Sequence, residues 1–291
     1  MKNRITYSKI IAGTMTWGNW GKNLTKDEMT GLIDYCVEIG ITTFDHADIY
    51  GGYDNEEAFG NAFFQSSSQR EQLQLITKCG IQYVCDARDN KVKHYEYTKD
   101  YIIWSAERSL TKLQTDYLDL FLLHRPSPLM QPDEIAEAVL CLQKEGKIRE
   151  FGVSNFSPSQ IALLESAIPV SANQVQFSLT AEKAMFDATF DDCIIHNRTA
   201  MAWSPLGSYF RKANKRKKRI KKVQKQLKKK YKADSSQILL AWILKHPSKV
   251  HPVVGTTSRE RLMASVGATE IDLELEDWFS LLVASQGHKV P

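Results

Sequence analysis

Four residues able to share one piece of chemistry stand at the ends of three strand-like runs. Asp45 and Tyr50 lie in TTFDHADIYG, Lys78 in LQLITKCG and His124 in LDLFLLHRP. Each run is apolar up to the polar residue. In a barrel of parallel strands, that end of the strand is where active sites are built. Reducing a carbonyl needs a hydride at carbon and a proton at oxygen. A tyrosine can give the proton, but a free phenol titrates near about 10. A neighbouring cation favours the phenolate and lowers that value. Lys78 is the candidate cation. Asp45 would pair with it, holding the ammonium in place and compensating its burial. His124 would position the carbonyl oxygen through a hydrogen bond.

Each residue alone also has a structural explanation. An aspartate at a strand end is usually a cap, and a tyrosine is usually a packed aromatic with a satisfied hydroxyl. A histidine after LDLFLL reads as a buried, hydrogen-bonded core residue. Lys78 is harder to set aside, because a lysine pointing into a barrel is costly without a partner. It is the ordered set of acid, phenol, ammonium and imidazole that favours chemistry, provided the strand ends meet.

The elements that must bring them together are legible as an alternation. Strands are expected near IIAGTMTW, TTFDHA, LQLITK, LDLFLLH, EFGVSN, NQVQF, AMAWSP and HPVVGTT. Amphipathic helical patterns separate them: DEMTGLIDYCVEIG, NEEAFGNAFF, YIIWSAERSLTKL, PDEIAEAVLCLQKEG, SPSQIALLESA and RERLMASVG, with less regular stretches around 181–195 and 218–246. Eight strand-then-helix units imply parallel strands joined by crossover helices. The 291 residues suit one α/β barrel, which takes about 250, so residues 1–291 are read as a single (β/α)8 TIM-barrel domain. A doubly wound sheet that binds a dinucleotide normally carries GxGxxG after its first strand, and this chain has none. Ser157, with Pro158 behind it, and Asp234, Ser235 or Ser236 are the expected helix caps. Residues 81–97 and roughly 205–217 are long connections of the kind that often serve function.

Composition sets the outer limits. Apolar residues make up 43% and charged residues 25%, enough for an ordinary core. No stretch reaches the roughly 18 apolar residues of a membrane span, and the N-terminus lacks the marks of a signal peptide. A soluble, cytoplasmic protein is the expectation. Five cysteines, an odd number without CxxC, argue against a disulfide framework or a zinc site. Cys79, next to Lys78, reads as a small reduced core residue in preference to a reactive thiol. The net charge is +4, yet residues 211–232 hold fourteen Lys or Arg and no acid. Ile220, Val223, Leu227 and Tyr231 form one apolar stripe there, so this run reads as a solvated outer helix. Other readings are a positive field near a polyphosphate and a polyanion-binding surface. The run has no interleaved aromatics to stack on bases. Trp104 and Trp242 read as core. Trp17 and Trp20 read either as core or as the rim of a site. Glu56 and Glu57 read as helix caps, and His46 and His251 have no evident partner.

As a set and in order, FDHADIYGGYDNE, ITKCG, LDLFLLHRP, GKIREFGVSNF, NQVQFS, AMAWSPLGS and VVGTTSRERL resemble the aldo-keto reductase superfamily over most of the chain. The likeness is closest to its bacterial oxidoreductases with a short C-terminal tail. It implies a (β/α)8 barrel that binds NADP(H) without a Rossmann fold and reduces aldehydes and ketones. It implies Tyr50 as general acid, Lys78 and Asp45 tuning it, and His124 orienting the substrate. Ser154, Asn155 and Gln174 would hold the nicotinamide carboxamide, and Trp203 would stack on its ring. Ser204, Leu206, Gly207 and Ser208 would line the pyrophosphate, Thr256, Thr257, Ser258 and Arg261 the adenosine end, with Thr14, Met15 and Asp45 also on the cofactor. Many relatives have lysine where Thr256 stands, so the grip on a 2′-phosphate falls to Arg261; NADPH is expected, with NADH the alternative. Arg125 stands where many relatives have tryptophan. Residues 81–97, with Tyr83, Tyr95 and Tyr97, and the segment after His124 are expected to wall the substrate pocket.

The expected partners are therefore a small-molecule carbonyl substrate, no nucleic acid and no membrane, with the chain a monomer or weak homo-oligomer. The rival from a different class is a cofactor-sensing binding module with little turnover, like the superfamily's ion-channel β-subunits.

Overall fold

Eight short strands close into a parallel barrel in this computed structural model, which describes residues 5–211 and 214–290. Lys212 of the basic run lies outside the described residues, as do Ala213, the first four residues and Pro291. In chain order the strands are β1 (Ile11–Gly13), β2 (Thr43–Asp45), β3 (Gln74–Cys79), β4 (Ile81–Gln82), β5 (His94–Tyr95), β6 (Leu118–Leu123), β7 (Ile148–Ser154), β8 (Ala172–Gln176), β9 (Thr199–Trp203) and β10 (His251–Val254). Around the barrel the order is β1-β10-β9-β8-β7-β6-β3-β2, and every neighbouring pair is parallel. The eight expected runs are the eight barrel strands. Strands β4 and β5 form a separate antiparallel pair, Ile81 opposite Tyr95, inside what the sequence reads as a long loop.

Strand β6, LDLFLL, shows why such runs are apolar on both faces. Leu120 and Leu122 point into the barrel with Ile11, Ile76 and Met201, while Phe121 and Leu123 face the helices. A strand covered on both sides has no polar face to show. Truncating Leu120 or Leu122 to alanine would cost about 2–5 kcal/mol. The end of the barrel where the strands begin is tied off by the N-terminal segment. The Tyr7 hydroxyl donates to Glu150 Oε2 at 2.9 Å, and the ring meets His251 edge-on at 6.3 Å.

Helix punctuation follows the sequence closely. Ser157 caps Pro158–Glu165 and Asp234 caps Ser235–Leu244, each closing a capping box with the glutamine three residues on. The basic run forms the helix Lys215–Lys230 on the outside, with Ile220 and Leu227 buried. Its arginines are committed: Arg219 Nε donates to Ala284 O at 2.8 Å and Arg216 Nη1 to Thr180 O at 2.7 Å. Most of its lysines face solvent. Among the described residues no helix is long and apolar enough to cross a membrane. All five cysteines are free thiols, and Cys79 is fully buried.

Two side chains depart from expectation. Trp242 is core, stacked on Trp278 at 4.9 Å, but Trp104 is 39% exposed, with the guanidinium groups of Arg88 and Arg108 at 4.5 and 5.5 Å from its ring. Flanking arginines make a half-wet surface behave as a packed one. Glu56 sits in the first turn of Asn55–Phe63, yet it is buried and accepts from Thr77 Oγ1 at 2.5 Å and Ser109 Oγ at 3.0 Å. Glu57, in the same turn, is exposed.

Candidate active site

The strand ends do meet. Asp45 is the last residue of β2, Lys78 the last but one of β3, and His124 the first after β6. Tyr50 opens a single 3-10 turn after β2, whose Gly51 takes φ +63°, so the chain reverses within three residues. Lys78 Nζ donates to Asp45 Oδ1 and His46 O, both at 2.7 Å, and to Tyr50 Oη at 3.3 Å. The rings of Tyr50 and His124 meet edge-on at 6.1 Å. Gln174, from β8 across the barrel, donates Nε2–H to the same Asp45 oxygen at 2.7 Å.

Charge in this pocket follows from burial and one cation. Burial lowers the affinity of Lys78 for its proton, but Asp45 and Tyr50 outweigh it and the ammonium is held above its usual range. Tyr50 reverses the sequence expectation: burial pushes the phenol up, and the opposing pull of Lys78 does not cancel it. His124 is held well below its ordinary value by burial first, then by the charges of Lys78, Arg125 and Lys93. Its imidazole is neutral at physiological pH, and among the described residues Nδ1 has no hydrogen-bond partner.

A second chain of contacts lies beside the first. Ser154, the last residue of β7, donates Oγ–H to Gln174 O at 2.8 Å and accepts from Asn155 Nδ2 at 2.7 Å. Asn155, at φ +64°, accepts the indole N–H of Trp203 at 2.9 Å. Trp203 ends β9, and Ser204 at φ +51° turns the chain into 205–210. Gly207 takes φ +52°, and a Cβ there would lie 2.1 Å from Thr180 Oγ1 and 2.4 Å from Ser178 Oγ. Its neighbour Ser208 donates N–H to Thr180 Oγ1 at 3.0 Å, and Leu206 is half-buried.

The other expected cofactor residues sit at the same end. Thr14, after β1, donates to Asp45 O at 3.0 Å and faces His46 Nδ1 at 3.0 Å. With the hydroxyl proton on Asp45 O, His46 Nδ1 must carry the other proton. Burial and Lys78 push the His46 pKa down to about 3. Met15 is 46% exposed. Ser258 caps the helix Arg259–Gly267 after β10, and its N–H donates to Thr256 Oγ1 at 3.2 Å. Thr257 lies between them, half-buried. Thr16 Oγ1 donates to Gly255 O at 2.8 Å, joining the loops after β1 and β10. Arg259 is spent on Gly31 O at 2.9 Å and on the Tyr35 ring, whereas Arg261 is exposed and has no side-chain partner among the described residues.

The rim divides the two tryptophans. Trp17 is fully buried against Phe44 and Phe59, while Trp20 is 45% exposed and meets Tyr50 at 6.4 Å and Tyr83 at 6.0 Å. Tyr83 stacks on Tyr53 at 5.5 Å, and Tyr95 is half-buried on β5. Tyr97 ties its hydroxyl to the backbone of Arg125, donating to O at 2.6 Å and accepting from N–H at 3.2 Å. Sequence reasoning missed Asn55. Its Nδ2 donates to Thr14 O at 2.9 Å, and a Cβ on Gly51 would meet its Oδ1 at 2.3 Å, so it staples the turn carrying Tyr50 to the loop after β1. The signal was an asparagine opening a helix three residues after paired glycines. Also unforeseen is Asp48, buried beside Glu56, with its carboxyl pushed up to about 8 by burial and by that second acid.

Comparison with known proteins gives the family. The aldo/keto reductase family model matches residues 9–281. An uncharacterised oxidoreductase of Bacillus subtilis, YcsN, is 39% identical over 99% of this chain and 97% of its own. A 6-dehydroglucose reductase of Agrobacterium fabrum is 32% identical over 100% of this chain and 98% of its own. Among solved structures, an aldo-keto reductase from Klebsiella pneumoniae in complex with NADPH is similar, with TM-score 0.76 and 25% identity over 94% of this chain and 90% of that one.

Proposed function

Because the chain belongs to the aldo/keto reductase family, we propose that it is an NADPH-dependent enzyme that reduces an aldehyde or ketone to an alcohol, with Tyr50 as general acid. The observation that carries this reading is the single ammonium of Lys78 touching both Asp45 and Tyr50 in a buried pocket at the strand ends. The NADPH complex of the Klebsiella pneumoniae relative supports the cofactor.

The residues present fit that cofactor. Asn155 and Gln174 offer side-chain amides, and Trp203, fixed by Asn155, offers a ring face for the nicotinamide. Gly207, left-handed and packed against Thr180 and Ser178, holds the turn that would present backbone to a pyrophosphate. The unpaired Arg261 at the start of Arg259–Gly267 suits a 2′-phosphate, with Ser204, Leu206, Ser208, Thr256, Thr257, Ser258, Thr14 and Met15 completing the lining. When bound, the dihydronicotinamide supplies the hydride.

The chain's own residues handle the proton. Burial keeps the Tyr50 phenol protonated, so the donor is loaded at neutral pH. As the carbonyl oxygen gains charge, the proton leaves Tyr50 Oη for that oxygen, and Lys78 Nζ stabilises the phenolate left behind. Asp45 and His46 O keep the ammonium in place. His124, held neutral, hydrogen-bonds the carbonyl oxygen without competing as a stronger acid. Solvent reprotonates Tyr50.

The test is loss of NADPH absorbance with a panel of small aldehydes and ketones. Turnover is expected, and Tyr50→Phe should lower kcat by about 10²–10⁴-fold while NADPH still quenches tryptophan fluorescence. Folded protein that binds NADPH and turns over none of the panel would overturn the reading, as would a Tyr50→Phe variant with undiminished kcat.

A further inference from the structure

Resting on the reductase reading, we infer that the carbonyl substrate carries an anionic oxyacid group, a carboxylate or a phosphate, and that Arg125 binds it. Arg125 directly follows His124, and its backbone is pinned on both sides by the Tyr97 hydroxyl. Its guanidinium stands 5.5 Å from the centre of the Trp203 ring. It thus stands between the residue that orients the carbonyl and the ring expected under the nicotinamide. Its charge is felt by both His124 and Tyr50.

A second cation, Lys93, lies on the loop after β3. It immediately precedes β5, is exposed, and also acts on His124. Among the described residues neither Arg125 nor Lys93 has an ion pair or a side-chain hydrogen bond. Of the acids buried around the tetrad, Asp45 is engaged by Lys78 and Gln174, and Asp48 and Glu56 are enclosed away from the mouth. Two unneutralised cations facing a neutral imidazole make a mouth selective for negative charge. The planar fork of an arginine held at its base, against an aromatic face, suits a carboxylate or phosphate in particular. A neutral aldehyde would leave both charges without a counterion.

The experiment compares kcat/KM for matched pairs at saturating NADPH: succinic semialdehyde against butyraldehyde, and glyceraldehyde phosphate against glyceraldehyde. The anionic member of at least one pair should be preferred by about tenfold or more, and the larger preference identifies carboxylate or phosphate. Arg125→Gln should cut that ratio about tenfold and Arg125→Glu should invert it. Lys93→Gln, an exposed change, should lower it by a smaller factor. A ratio near one in the wild type, or a ratio preserved in Arg125→Gln, would overturn the inference. So would an Arg125→Gln variant that weakens NADPH binding and leaves the ratio untouched, which would assign the guanidinium to the cofactor. Turnover of neutral aldehydes without preference defeats this inference alone. No turnover of either member of any pair defeats the reductase reading, and this inference falls with it.

Discussion

Lys78 Nζ and Asp45 Oδ1 lie 2.7 Å apart, with side chains only 1% and 3% exposed. Removing one partner of such a pair strands a charge in a low-dielectric site. Asp45→Ala should therefore destabilise the fold by about 3–5 kcal/mol, and Asp45→Ala combined with Lys78→Met by less than Asp45→Ala alone. Urea unfolding of the two variants measures the difference. A double variant less stable than Asp45→Ala would show that the pair's charge is not what the site must compensate.

Cofactor choice should separate the two arginines of one helical turn. Arg259 is anchored to Gly31 O and the Tyr35 ring, whereas Arg261 is unpaired. Arg261→Gln should weaken NADPH binding about tenfold, the worth of one charge-assisted contact, and leave NADH binding nearly unchanged. Arg259→Gln should lower thermal stability without altering the NADPH-to-NADH ratio. Fluorescence titration with both dinucleotides decides it.

Gly207→Ala asks for a left-handed backbone and a Cβ within 2.1 Å of Thr180 Oγ1. The strain is about 1–3 kcal/mol, and relief requires moving the segment that carries Ser208. NADPH affinity should fall by about tenfold or more. Unchanged affinity would remove this turn from the cofactor site.

Asp48 should leave a mark on stability against pH. Its folded carboxyl is raised to about 8 from an ordinary 3.8, so between these values the folded chain binds more protons than the unfolded one. Its contribution is complete below the lower value and is lost as pH rises through 8. Glu56, beside it, is raised by burial too. His46 runs the other way: lowered to about 3 from 6.5, it adds stability above 6.5 that is lost as pH falls through 3. The opposing effects overlap in acid, leaving the Asp48 slope exposed between about pH 6.5 and 8. Stability should decline there by up to about 1.4 kcal/mol per pH unit, and Asp48→Asn should flatten the decline. Urea midpoints across that range test it.

The barrel was legible because its strands are short apolar runs covered on both sides, and because helices Pro158–Glu165 and Ser235–Leu244 carry their caps in adjacent residues. The tetrad was legible for a related reason: Asp45, Lys78 and His124 mark the points where apolar runs stop, and Tyr50 follows in the turn after the first of them. Side chains whose partners are remote in sequence were not. Glu56 looks like a cap from its own helix, but its partners Thr77 and Ser109 are 21 and 53 residues away. Trp104 has core spacing, yet Arg88 arrives from a distant loop to cover it. The direction of the Tyr50 shift depends on how much protein surrounds the phenol, which no local pattern encodes.

Tyr97 closes over the junction after β6, gripping both the N–H and the carbonyl of Arg125 with one hydroxyl. On the proposed reading, that fixes the place where positioning His124 hands over to choosing the substrate. Upstream of Tyr97, residues 83–92 can lengthen or change character while Tyr97 keeps its hold on the segment after His124. Retargeting this barrel toward other carbonyl compounds should therefore begin in that stretch and at Arg125, and leave the tyrosine bolt alone.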